Sequence, residues 1–158
     1  FTKMLGLTRK RQGKLSLTKK AIDRLTMQST GDFFREVFLA YTKEFNWAYS
    51  DGYPESWIIQ AGFGFSIFLV QKYGDQSRSV DFYSEKYLQA FPAGLTDFLD
   101  TAYSTKEGLF KGAYGLRVFK RFLKRFGFVE ISGDAIGGKD FTVKKTPVID
   151  QIAKWNIR

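Results

Sequence analysis

The chain contains no cysteine and no histidine among its 158 residues. Without cysteine there is no disulfide framework, no thiol redox centre and no cysteine-based zinc site. Without histidine, the Ser-His-Asp and Cys-His nucleophile systems are excluded as well. Acid–base work is left to carboxylates, Lys or Tyr, and a hard metal would need a cage of carboxylate oxygens. The lack of thiols fits a cytoplasmic location. Long hydrophobic runs are also missing. The longest, Trp57–Val70, is interrupted by Gln60, Gly62, Gly64 and Ser66. It falls short of the roughly 20 apolar residues that cross a bilayer, so no membrane partner is expected. Residues 1–25 are basic and lack a continuous apolar core, so they do not read as a secretory signal. The chain opens on Phe1 rather than Met, and an upstream segment is expected.

What the chain has in excess is aromatic surface and positive charge. Seventeen Phe, eight Tyr and three Trp exclude a globally disordered chain and supply a real core. The net charge of +9 is unevenly placed. Residues 1–25 carry eight basic side chains against Asp23 alone, and residues 111–125 carry six against none. Between them, residues 26–110 carry eleven acidic and six basic side chains. Two short basic segments therefore flank an acidic, aromatic-rich middle. Patches of this kind mark nucleic-acid binders, and they also occur as plain solvated faces.

Periodicity predicts a mainly α fold with small β. Two short runs around Gln12-Gly13 read as a β-hairpin with Leu7, Leu15 and Leu17 facing inward. Thr18 then caps a short helix bearing Ala21, Ile22 and Leu25 on one face. Asp32 is expected to cap a helix striped by Phe33, Phe34, Val37, Phe38, Tyr41 and Phe45. The stretch 46–54 breaks it, with turn signals at Asp51-Gly52 and Pro54. Its aromatics and carboxylates read as a tight turn plugged into the core, rather than as an acid–base site. Glu55–Tyr73 reads as one central buried helix ending at Gly74, and Ser79–Phe91 as a further helix stopped by Pro92. Leu95–Tyr103 is also predicted helical. Phe110–Phe126 has an apolar stripe of Leu116, Phe119, Phe122, Leu123 and Phe126 with a cationic face opposite. A strand at 128–131, a Gly-rich loop at 133–138, a strand at 140–144 and a short helix capped by Thr146 complete the chain. The loop lacks the phosphate-binding pattern, because Lys139 precedes Asp140 rather than Ser or Thr. No Pro/Gly/Ser-rich linker divides the chain, so residues 1–158 are expected to form one compact domain. Within it lie a first hairpin and helix (1–30), buried aromatic helices (31–78) and a last unit (79–158).

The two hairpins look like copies of one unit. Both run apolar-Gly-apolar into a strand, a loop ending in Gly-Lys, a second strand, Lys-Lys and a short helix with an Ile-Asp pair. The order helix, Gly, strand, Gly-rich loop, strand resembles the winged helix-turn-helix family. That resemblance implies that Phe110–Phe126 stands at the recognition-helix position and Phe128–Lys144 at the wing. The first hairpin has no such helices ahead of it, as in a truncated or degenerate copy. More narrowly, Arg9–Lys20, Phe45–Pro54 and Ala113–Phe119 resemble a poorly characterised bacterial family with a winged-helix-like C-terminal region and no assigned activity.

The reading that follows is non-catalytic: a basic protein binding nucleic acid, with duplex DNA as partner and low sequence specificity. Arg117, Lys120, Arg121, Lys124 and Arg125 on the helix, with Arg9, Lys10, Arg11 and Lys14 on the hairpin, are the expected phosphate contacts. The helix lacks the Asn, Gln, Ser and Thr that accompany base readout. The alternative is a protein-interaction or scaffolding module, possible also as a homodimer, since winged helices often contact protein and fold does not fix function. No cofactor and no metal is expected.

Overall fold

Gln12 and Gly13 both take positive φ, 47° and 78°. Two such residues make the type I′ turn whose twist matches a two-residue hairpin. It joins β1 (Thr8–Arg11) to β2 (Lys14–Leu17), antiparallel, with Arg11 opposite Lys14 and Thr8 opposite Leu17. The structure is a computed structural model and describes residues 1–27, 29–133, 140–152 and 155. The fold is mainly α with small β, as the periodicity predicts. The chain divides into two units, Phe1–Asn46 and Trp47–Arg158. Their boundary falls in a stretch without linker composition, which is why the sequence reads as one domain.

In the first unit, the hairpin leads into α1 (Lys19–Met27) and α2 (Thr30–Lys43). The cap of α2 is Ser29 rather than Asp32. Ser29 Oγ accepts the Asp32 amide at 3.1 Å and donates to its carboxylate at 2.7 Å. Asp32 thus sits in the first turn, where its charge meets the positive end of the helix dipole. The core is small: Leu5, Leu7, Ala21 and Ala40, with Phe33 and Val37 against them.

The second unit starts from a stretch read as one helix and found as two. α3 (Trp57–Ala61) stops at Gly62 and α4 (Phe63–Tyr73) begins after it. A Cβ on Gly62 would lie 2.7 Å from Cζ of Tyr87, whose hydroxyl donates to Ile58 O at 2.6 Å. The missing side chain at Gly62 thus makes room for a tyrosine ring. β3 (Arg78–Ser79) leads into α5 (Val80–Ala90), capped by Ser79, and a 3-10 turn follows at Pro92–Leu95. The helix expected over Leu95–Tyr103 does not form. Asp100 and Thr101 instead accept the amides of Lys106, Tyr103 and Ser104 with their side chains, an alternative to helical bonding. α6 (Lys106–Tyr114) continues as a π-helical segment over Gly115–Leu123. β4 (Val129–Ser132), β5 (Thr142–Lys145) and α7 (Ile149–Ile152) close the unit. The sheet order is β3-β5-β4, all antiparallel.

The core of this unit is a network of rings centred on α6 and the π-helical segment. Phe110, Tyr114, Phe119 and Phe122 are fully buried there. The central helix is thus Lys106–Leu123, not the Glu55–Tyr73 stretch. Tyr114 OH meets Ser66 Oγ at 3.0 Å. Burial pushes the Tyr114 and Tyr87 hydroxyls well above the usual phenol range, and Tyr83 up to about 12. All three stay protonated at neutral pH; Tyr114 and Tyr87 spend their hydroxyls on hydrogen bonds within the core, whereas the buried Tyr83 hydroxyl has no partner.

The two hairpins are one motif in atomic detail, in a register that differs from the sequence reading. Gly6 and Gly127 both take left-handed backbone, φ 67° and 73°. Thr18 Oγ1 donates to Gly6 O at 2.6 Å, and Thr146 Oγ1 to Gly127 O at 2.6 Å. Thr18 N donates to Leu7 O at 3.0 Å, and Thr146 N to Phe128 O at 2.9 Å. Three residues further on, Ala21 and Ile149 are both buried. Thr18 therefore corresponds to Thr146, Leu17 to Lys145, Leu15 to Val143 and Ile22 to Asp150. The Lys-Lys pairs do not correspond: Lys19-Lys20 opens α1, whereas Lys144-Lys145 ends β5. Residues 134–139, which hold most of the Gly-rich loop expected at the second tip, lie outside the described residues.

This threonine latch gives a direct prediction. Thr18→Val removes the bond to Gly6 O and the cap on the Ala21 amide (3.1 Å). It is expected to cost the first unit about 1–2 kcal/mol. Amide exchange in α1 and β2 measures it; an unchanged exchange pattern would count against the latch.

Candidate interaction surface

The basic helix does not present the face that its sequence suggests. Arg117 is 1% exposed. Its Nε and Nη2 donate to the Asp51 carboxylate at 2.7 and 3.1 Å, and Nη2 also reaches Pro54 O at 2.8 Å. Asp51 is equally buried at its side chain, and accepts the Tyr53 amide at 3.0 Å. One turn on, Arg121 donates to Tyr49 O at 2.8 Å and to the carbonyls of Trp47 and Ser50 at 3.3 Å. Two arginines four positions apart lie on one side of a helix, so both clamp the same loop. The tight turn expected at Asp51-Gly52 is present, with Trp47 buried beneath it. What sequence reasoning missed is that the turn's acid and the helix's cation belong together. The available signal was compositional: carboxylates without local partners in the middle segment, and cations without any in residues 111–125.

The other helix cations are partly committed. Lys120 Nζ sits 5.0 Å from the centre of the Phe141 ring, a cation–π contact. Lys111 meets Asp81 and Glu85 at 3.5 and 3.3 Å. Lys124 and Arg125 are exposed. Of the five helix positions expected to contact phosphate, Arg117 is withdrawn from solvent altogether, because an unpaired guanidinium could not be buried without its carboxylate.

The hairpin behaves in the opposite way. Arg9, Lys10, Arg11 and Lys14 are all exposed. Cross-strand partners share a face, so Arg9, Arg11, Lys14 and Ser16 line one side and Thr8, Lys10, Leu15 and Leu17 the other. Leu7 is buried as expected, but Leu15 and Leu17 are not: they are 74% and 51% exposed. Ile22, Leu25 and Met27 of α1 are also exposed. In the second unit, the position matching Leu15 is Val143, fully buried on a strand that pairs with β3. The expected inward face is thus correct in alternation, but among the described residues it stays exposed.

Comparison of the chain with family models, curated proteins and solved structures returns no match. Among the described residues, no cluster of three carboxylates could hold a metal ion. No helix there is long and apolar enough to cross a membrane.

Proposed function

We propose that the chain is a non-catalytic protein-interaction module working through the open hairpin face of its first unit. The observation that carries this reading is the pair Leu15 and Leu17, exposed on a strand whose counterpart in the second unit is buried. Two large aliphatic side chains on a two-stranded ladder are a surface awaiting cover. The commitment of Arg117 and Arg121 to the 47–54 loop supports the same reading, because it engages two of the five phosphate contacts expected on the helix. A photo-crosslinking side chain in place of Leu17 tests it in the cells that make the protein. The expected product is a discrete protein adduct that survives high salt and is lost on Leu15→Lys. Adducts to nucleic acid alone, or none, would overturn the reading. Such a module would act in the cytoplasm.

A second reading has its own observation, the exposure of Arg9, Lys10, Arg11 and Lys14. In it the chain is a winged-helix-like protein that holds nucleic-acid phosphates with low specificity. Its support is the order of α6, the π-helical segment, β4, loop and β5. Duplex-DNA anisotropy across a salt series separates the two readings. Phosphate binding should weaken with a log–log slope of roughly −0.9 per phosphate neutralised. It should also vanish in Arg9→Glu/Lys14→Glu. No binding at low salt would dispose of this reading.

A further inference from the structure

In an antiparallel pair, residues alternate between those that bond across the ladder and those that point their backbone groups away. Thr18 N bonds to Leu7 O, and the register then places Ser16 and Lys14 in the bonded positions. Leu15 and Leu17 therefore aim their amides and carbonyls at the outer edge of β2. Among the described residues no strand pairs with that edge.

The second unit shows what completes the motif. There matching groups of β5 have partners. Lys145 N, the counterpart of Leu17 N, donates to Gly74 O at 2.9 Å. Arg78 pairs with Val143, the counterpart of Leu15, and Val80 N donates to Phe141 O at 3.1 Å. The cover is thus the stretch that leaves the turn at Gly74-Asp75 and enters the short strand β3, and its turn brings a carboxylate. Asp75, in that turn, meets Lys145 Nζ at 3.0 Å. Asp150 meets the same amine at 3.1 Å from α7. In the first unit these two positions are Leu17 and Ile22, so the ion pair is replaced by an apolar patch, and the lysines stand around it.

We propose that the outer edge of β2 accepts an extended acidic segment of a partner protein as an antiparallel third strand, its apolar side chains resting on Leu15, Leu17 and Ile22. This rests on the reading of the chain as an interaction module and names the site and the chemistry of its partner. Strand addition supplies affinity through main-chain bonds, and alternate side chains supply specificity. Charge selects the occupant. The first 25 residues carry eight cations against one carboxylate, so two copies of this edge repel each other, whereas a Glu- or Asp-bearing strand is attracted.

The test uses the full chain and two synthetic peptides, one alternating Val and Glu, the other alternating Val and Lys. Amide exchange at Leu15 and Leu17 is followed by NMR. The Val–Glu peptide is expected to slow both amides by about tenfold or more, with shifts centred on β2 and α1. The Val–Lys peptide is expected to leave them unchanged. Leu15→Pro removes one outward amide without touching the bonds to β1, and should abolish the protection. If that variant does not fold, the contrast between the two peptides on the native chain still decides. Protection by neither peptide, or equally by both, overturns the proposal. So does protection already present in the chain alone: if independent of concentration, the chain's own residues cover the edge, and if rising with it, a second copy does. A protein adduct at position 17 without peptide protection would leave the interaction reading standing and this strand addition refuted; loss of both would refute both.

Discussion

Asp51→Asn is expected to lower the unfolding free energy of the second unit by about 3–5 kcal/mol. The substitution keeps the size of the side chain and its ability to accept the Tyr53 amide, so the turn itself survives. What it removes is the charge. Arg117 is 1% exposed and has no water to turn to, and its Nη1 already lacks a partner. A guanidinium left there without a counter-ion meets the full cost of desolvation. Removing both groups is a different matter. Asp51→Leu/Arg117→Met should recover most of the loss, because a buried pair and a well-packed apolar substitute are commonly of similar stability. Urea unfolding followed by circular dichroism measures wild type and both variants, and adding the single variants Asp51→Leu and Arg117→Met completes the cycle that isolates the coupling. A cost below about 1 kcal/mol for Asp51→Asn would mean that water reaches the pair.

Phe122→Ala is expected to cost a comparable amount, about 3–5 kcal/mol. Phe122 is fully buried, and four rings surround it: Trp47 at 4.8 Å, Phe126 at 5.5 Å, Phe63 at 6.1 Å and Phe128 at 6.2 Å between centroids. These rings come from the loop, α4, the end of the central helix and the entry to β4, so no single element can close the cavity. Phe122→Leu keeps most of the volume and should cost less than about 1.5 kcal/mol. Trp47 reports on the outcome directly, since its indole would be left facing the void; its emission should shift to the red in Phe122→Ala. A small loss in both variants would show that the rings collapse together after all.

Local chemistry was legible from sequence, and pairings across the chain were not. Thr18 as cap, the Gln12-Gly13 turn and the Asp51 turn each depend on residues within a few positions. Side-chain type and φ preference suffice for these. The break at Gly62 depends on Tyr87, and the fate of Arg117 on Asp51, 66 positions away. Periodicity describes the chemistry of a helix face without saying what the face meets. The cationic stripe over Arg117–Arg125 was therefore real as a pattern and misleading as a surface. The hairpin erred the other way. Alternation identified Leu15 and Leu17 as an inner face, but a pattern cannot reveal whether anything is packed on it. The repeat was visible in outline, yet its register needed the threonine latches, because Lys-Lys and Ile-Asp recur near each hairpin at positions that do not superpose.

The Arg117–Asp51 clamp also sets an order of events in folding. Closing a loop of 66 residues is slow and entropically costly next to forming a two-residue hairpin. Until that loop closes, Arg117 and Arg121 stand in water beside Lys120, Lys124 and Arg125, and the full cationic stripe exists for as long as the chain is incompletely folded. A polyanion that gripped the whole stripe would bind this open form more tightly than the closed one, where Lys124 and Arg125 stay exposed but Arg117 is buried. By linkage it would draw the equilibrium toward unfolding. The finished fold divides the stripe, burying Arg117 and holding Arg121 against the 47–54 carbonyls while Lys124 and Arg125 stay exposed.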